Sequence, residues 1–407
     1  MISARIGGSW LWVTLLAATG ILAICDSALA DPAWYDTGWL WRQEVTVSPL
    51  GNSAGLSNFP LLVKLTAQGN PLFGTAQSSG HDIFFTDAAG TKLDHEIEYY
   101  SDAGAKELDA WVRVPTVPAA GSTLYMYYGN AGADDQQNMP GTWTGNYKMV
   151  QHLQEAPANG VAGHIDSTGL GNDGTPSNFD GTPTSTTAGI GQIDGADVFD
   201  GTDDYVTCGT DSSLNVTDHL SIETWVKTPD TTRWYAPLVW KGPAGNGYYL
   251  FFHNDSKRVV GYANLSGGGG WQIMARSEVL SNDTWYHLLL TYDGTESIVY
   301  TNGQVGSGMT KLQSGPIVGE EGAPLYVGLA SPYSHDDFQG ILDEIRISDI
   351  PRSGDWALAS YNIQRPDGNY LSFGDRQPVP EPSTMVLLAL AGACLIWCRW
   401  RKRRRPA

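Results

Sequence analysis

Leu220-Ser-Ile-Glu-Thr-Trp-Val226 decides the fold class. Leu220, Ile222 and Val226 alternate to one side, while Glu223 and Trp225 take the other. A period of two belongs to a strand that packs one face on a core. Downstream, Asp293-Gly294 and Asn302-Gly303 supply the positive φ angles of tight hairpin turns. They make Trp285–Thr291 and Ser297–Thr301 adjacent antiparallel strands, and Gly267–Gly270 reads as a loop tip. Upstream, Leu108, Ala110, Val112 and Val114 share one strand face, with Asp109, Trp111 and Arg113 on the other. Short alternating runs bounded by Gly, Asn, Asp and Pro recur along the chain, which holds 48 Gly and 22 Pro. The expected class is all-β, with two β-sandwich domains over residues 34–138 and 145–365.

Around the opening stretch the motifs fall in a fixed succession. They are Met149-Val-Gln-His-Leu-Gln-Glu155, Asp166–Thr175, Val198-Phe-Asp-Gly-Thr-Asp-Asp-Tyr-Val206, Leu220–Val226, Thr284-Trp-Tyr-His287, Tyr292-Asp-Gly294 with Tyr300-Thr-Asn-Gly303, and Gly340-Ile-Leu-Asp-Glu-Ile-Arg346. The succession is similar to the laminin-G-like, concanavalin A-like jelly roll of bacterial proteins. That resemblance implies two packed sheets and a structural calcium near the rim. The expected calcium ligands are Asp200, Asp203 and Asp204 on one turn, joined by Asp343. Laminarinase-type glucanases of this fold carry a Glu-x-Asp-x-x-Glu strand. No such spacing occurs here, and in the nearest acidic strand Ile341 stands where the first Glu belongs. No nucleophile elbow or P-loop is present, and the eight histidines are scattered with none at ligand spacing. The expectation is therefore a protein that is not an enzyme. Aromatic residues cluster at Arg233-Trp-Tyr235, Trp240, Tyr248-Tyr249 and Trp271. Trp234, Tyr235 and Trp271 are the candidate glycan-binding residues, because flat rings edged by polar groups suit sugar faces.

The first domain opens on Gly38-Trp-Leu-Trp-Arg42. It continues through His81-Asp-Ile-Phe-Phe-Thr-Asp87 and Ala110-Trp-Val-Arg-Val-Pro115 to Leu124-Tyr-Met-Tyr-Tyr-Gly-Asn130. This order resembles an uncharacterised domain of bacterial and archaeal surface proteins, which implies a β fold and no known activity. His95-Glu96 is not a zincin motif, because Tyr99 stands where a second His is needed. Asp82 and Asp87 could bind a metal, but a turn-and-strand role is the one expected of them.

The two ends fix the compartment. Arg5, the apolar run Trp10–Ile24 and Ala28-Leu-Ala30 read as a signal peptide over residues 1–30. At the other end, a Pro-rich spacer over 366–383 holds Pro380-Glu381-Pro382. A hydrophobic segment over 384–398 and a basic tail over 399–407 follow. The 14 apolar residues Met385–Cys398 are few for a lasting transmembrane helix, which takes about 20. This arrangement resembles the PEP-CTERM sorting signal. It implies export, transient anchoring in the inner membrane, and processing by an exosortase. Residues 31–383 hold 17 Lys and Arg against 42 Asp and Glu, a formal −25. Such a surface repels nucleic acid and suits divalent cations or neutral glycans. Cys208 is the one ectodomain cysteine, so no internal disulfide can form there. The expected function is a cell-surface or exopolysaccharide-associated protein that binds an extracellular polysaccharide or surface glycan without catalysis. The alternatives are a purely structural matrix component and a glycan-processing enzyme.

Overall fold

The computed structural model describes residues 34–179, 190–242, 246–253, 256–266, 270–306, 311–312, 314–329 and 337–380. The expected signal peptide, Glu381, Pro382, the 384–398 segment and the basic tail lie outside the described residues. Among the described residues, no helix is long and apolar enough to cross a membrane.

The first unit is built from β1 (Trp41–Val47), β2 (Leu56–Leu65), β3 (Phe84–Asp87), β4 (Lys92–Leu93), β5 (His95–Ser101), β6 (Glu107–Val117) and β7 (Ser122–Tyr128). One helical turn, α1 (Met139–Thr142), follows, capped by the Asn138 side chain. The second unit begins with β8 (Tyr147–Gln151), β9 (Thr175–Ser177), β10 (Asp197–Asp200), β11 (Tyr205–Thr207), β12 (Leu220–Lys227), β13 (Pro237–Lys241), β14 (Tyr248–Phe252) and β15 (Val259–Leu265). It continues with β16 (Gly270–Arg276), β17 (Tyr286–Tyr292), β18 (Glu296–Thr301), β19 (Gln304–Val305), β20 (Lys311–Leu312), β21 (Leu325–Val327) and β22 (Gln339–Ser348). Then come α2 (Gly354–Gln364) and β23 (Leu371–Pro378).

The first sandwich sets a five-stranded sheet, β23-β1-β7-β3-β4, against a three-stranded one, β2-β6-β5. The second sets an eight-stranded sheet, β10-β22-β12-β17-β18-β19 with β8 and β20 at its sides, against a seven-stranded one, β16-β15-β14-β13-β21-β11-β9. The fold is thus all-β, in two sandwiches. On β12, Leu220, Ile222 and Val226 enter the second core as the alternation requires. Asn302 and Gly303 both take positive φ, and the hairpin they close joins β18 to β19. Gly261 lets the two sheets approach, since a Cβ there would stand 2.6 Å from Leu290 Cδ1.

Residues 366–383 are not a spacer throughout. Within them β23 pairs antiparallel with β1, from Trp41↔Pro378 to Val47↔Leu371. Leu371 and Phe373 pack on the first core, and Pro378 falls at the end of an edge strand, where a missing N–H costs nothing. The chain therefore returns to its first unit before the sorting motif, and Val379 N donates to Leu40 O at 2.9 Å.

The two units also share a core. One apolar cluster joins Phe59, Trp111 and Val114 of the first unit to Val150, Leu289 and Tyr300 of the second, with Trp356 and Ile363 of α2 between them. Ser353 caps α2 by accepting from Trp356 N, and Asp355 accepts from Ser53 N and Ala54 N of the first unit. Consequently the second faces of β12 and β6 are buried. Glu223 and Trp225, like Asp109 and Trp111, have almost no exposure.

Candidate functional site

The outer face of the seven-stranded sheet carries most of the aromatic residues in question. On β14, Tyr248, Leu250 and Phe252 enter the core, so Tyr249 and Phe251 point outward. The same alternation turns Tyr262 outward on β15, Tyr326 on β21 and Tyr205 on β11. A bulge in β13 sends Leu238 and Val239 both into the core and leaves Trp240 outside.

Register then aligns these side chains. Tyr262 lies opposite Tyr249, Tyr249 opposite Trp240, and Trp240 opposite Tyr326. Four aromatic residues on four adjacent strands form one row of about 14 Å at the usual strand spacing. The Trp240 and Tyr249 rings are 3.7 Å apart, and Tyr205 meets Tyr326 edge-on at 6.0 Å. Tyr249 itself is buried, whereas Trp240, Tyr262 and Tyr326 are half-buried. The indole N–H of Trp240 donates to Gly242 O, which fixes the ring.

Beside this row sit two of the residues singled out in sequence. Tyr235 stacks on Phe251 at 5.4 Å, and Trp234 leans on Tyr235 at 5.6 Å with half its surface exposed. Tyr235 adopts φ 56°, a left-handed backbone that costs a non-glycine residue energy. The third, Trp271, lies opposite Asn264 on β16, and its side chain is outside the described residues. Burial and then Arg276 lower His253, next to Tyr235, below the ordinary imidazole range. Burial first and Tyr235 second raise Tyr262, which stays a phenol able to donate and accept. Periodicity in β14 and β15 could have flagged Phe251 and Tyr262. The pairing that puts them beside Tyr235 is non-local.

The acidic turn lies next to this patch. Asp200, Asp203 and Asp204 each bring a carboxylate oxygen within 4.8 Å of the others. Asp204 accepts from Asp200 N at 2.8 Å, and Asp200 accepts from Thr202 N at 2.6 Å. Arg233 donates to Gly201 O and Asp337 O, tying the Trp234 loop to the turn. Asp343 does not join the trio. Register sets Asp200 opposite Gln339, four residues along β22, and Asp343 is spent on the amides of Gln192 and Ile193. Asp82 accepts from Gln77, Gly129 and Asn130 amides and Asp87 from Ala89 and Thr91, the turn roles expected of them.

Residues 200–357 match the family model of the concanavalin A-like lectin/glucanases superfamily. The second unit is a concanavalin A-like domain. Residues 79–155 match a domain of unknown function (DUF2341), and residues 378–404 match the PEP-CTERM protein-sorting motif. The motif marks an exported protein processed at the membrane, with exosortase processing implied. No curated protein matches the chain. Among solved structures it is similar to domain 4 of AbnA, a GH43 extracellular arabinanase from Geobacillus stearothermophilus, in complex with arabinotriose. The identity is 18% over 53% of this chain and 98% of that one, with a TM-score of 0.39. The receptor binding domain of botulinum neurotoxin D is similar at 14% identity, over 54% of this chain and 53% of that one, with a TM-score of 0.39. The binding domain of Paraclostridial Mosquitocidal Protein 1 is similar at 14% identity, over 53% and 52%, with a TM-score of 0.40. The matches span about half the length of the two toxin chains.

Proposed function

We propose that this exported protein binds a neutral extracellular polysaccharide or surface glycan without acting on it, at the cell surface or in exopolysaccharide. The cross-strand row Tyr262-Tyr249-Trp240-Tyr326, with Tyr235 and Trp234 beside it, carries the reading. A line of rings on a sheet, three half-buried and backed by the buried Tyr249, suits a linear polymer of sugar faces, and preorganised rings lose little entropy on binding. The strongly acidic surface favours a ligand without negative charge. A non-catalytic role is supported by Asp343 and Glu344, the acidic pair of β22. Both side chains are fully buried, out of reach of a polymer. Calcium at Asp200, Asp203 and Asp204 belongs to the same proposal, as a brace for the turn that Arg233 ties to the Trp234 loop.

The test is a binding isotherm of the purified protein on neutral envelope and exopolysaccharides. Tyr262→Ala and Trp234→Ala should each weaken binding about tenfold, near 1.4 kcal/mol, with the circular dichroism spectrum unchanged. A folded protein that binds no polysaccharide would favour the purely structural matrix component. Release of reducing sugar would favour an enzyme.

A further inference from the structure

Where the sandwiches meet, side chains far apart in sequence converge. Glu96 and Glu98 come from β5, His152 directly follows β8, and Glu344 lies on β22. His152 Nδ1 stands 2.6 Å from Glu344 Oε1 and 3.4 Å from Glu98 Oε2. Its other nitrogen, Nε2, is 3.3 Å from Glu96 Oε2. One ligand atom each from Glu98, His152 and Glu344 falls within 4.8 Å of the other two, and all three residues are buried.

We propose that Glu98, His152 and Glu344 bind one divalent transition-metal ion of the zinc class, which locks the two units together. One imidazole and two carboxylates on a shared centre are a ligand set for such an ion, and the imidazole favours it over calcium. Each ligand is also held from behind, as metal ligands are. Glu96 faces the distal nitrogen of His152 and is itself fixed by Trp143 Nε1 and Ser167 Oγ. Trp111 Nε1 donates to Glu98 Oε2 at 2.6 Å. Arg346 donates to Glu344 while its guanidinium lies 4.2 Å over the Trp111 ring.

Two further observations point to a cation. Glu98 Oε1 is buried and has no hydrogen-bond partner, so one oxygen of a ligand in the cluster is unsatisfied. Charge is out of balance as well. Glu96, Glu98, Glu223, Asp343 and Glu344 are all buried, and Arg346 pairs with two of them, Glu223 and Glu344. Burying that much negative charge requires protons on the seam's carboxylates and histidines, or a bound cation. The site draws Glu96, Glu98 and His152 from the stretch that matches the domain of unknown function, and Glu344 from the concanavalin A-like stretch. It is separate from the Asp200–Asp204 turn and independent of glycan binding.

The full chain, purified without chelator and analysed by plasma mass spectrometry, should carry about one equivalent of zinc. Unfolding in chelator should remove the ion, and protein refolded without metal should melt several degrees lower than protein refolded with zinc. Glu98→Gln keeps the shape and the acceptor for Trp111 but loses the charge. It should abolish zinc binding while the circular dichroism spectrum stays native. X-ray absorption at the zinc edge of the unaltered chain should show one imidazole with oxygen neighbours, a readout that survives if the variant fails to fold. Folded protein that takes up no zinc or cobalt on refolding would overturn the proposal. So would full zinc content in Glu98→Gln, or an absorption spectrum without imidazole.

Discussion

His164 shows how far one buried side chain depends on its partners. Its Nε2 lies 3.0 Å from Asp197 Oδ2 and its Nδ1 3.2 Å from Glu155 Oε2. Burial alone would lower the imidazole, yet the carboxylates of Asp197 and Glu155 beside it raise it from 6.5 to about 9. Burial raises Asp197 in spite of the imidazole; burial would raise Glu155 too, but the bond to His164 holds it below its ordinary value. A folded pKa above the unfolded one stabilises in full below about 6.5, and the gain disappears as pH rises through about 9. The shift corresponds to at most about 3 kcal/mol, less what burial of Asp197 costs. His164→Gln should therefore melt well below the unaltered protein at pH 6, with the gap closing towards pH 10. A gap independent of pH would show that the imidazolium contributes nothing. The sequence displays His164 as one of eight scattered histidines. Its partners lie 9 and 33 positions away, brought together by the bridge of His164 to Gly174 and by β10.

At the scale of elements, local signals fared best where a turn is built from its own residues. Asn302-Gly303 closes a hairpin, and Asp200 to Asp204 gather three carboxylates on one connection between β10 and β11. If calcium binds that turn, adding it should raise the melting midpoint by a few degrees. Binding at a hundredfold excess over Kd contributes about 2.7 kcal/mol. Asp204→Asn should remove the response, and a midpoint unmoved by calcium or chelator would exclude the ion. Asp343 shows the opposite case. Its strand does pair with β10, but register carries its carboxylate away from the turn. β23 was hidden for a related reason. Leu371-Ser-Phe373 is too short an alternation to announce a strand, and it becomes one because β1 offers an open edge.

At the scale of the molecule, the units that read as successive domains are joined by β23, by α2 and by the charged seam. An interface with a common apolar core and buried ionic partners cannot open without exposing both. The protein should accordingly unfold in one cooperative transition, with fluorescence and circular dichroism midpoints coinciding. Two separated transitions would show that the units are thermodynamically independent.

The sequence by itself determined what rests on neighbours along the chain. Alternation made the strands, Gly after Asn or Asp made the turns, and the Pro-Glu-Pro stretch with its hydrophobic and basic followers gave the sorting motif. Only the tertiary structure decided which side chains share a face or a buried site. Tyr262, Tyr249, Trp240 and Tyr326 form a row because of strand register. Glu98, His152 and Glu344 meet because two sheets pack across a seam. Those distances are set by the packing of elements remote in sequence, and no local spacing of residues encodes them.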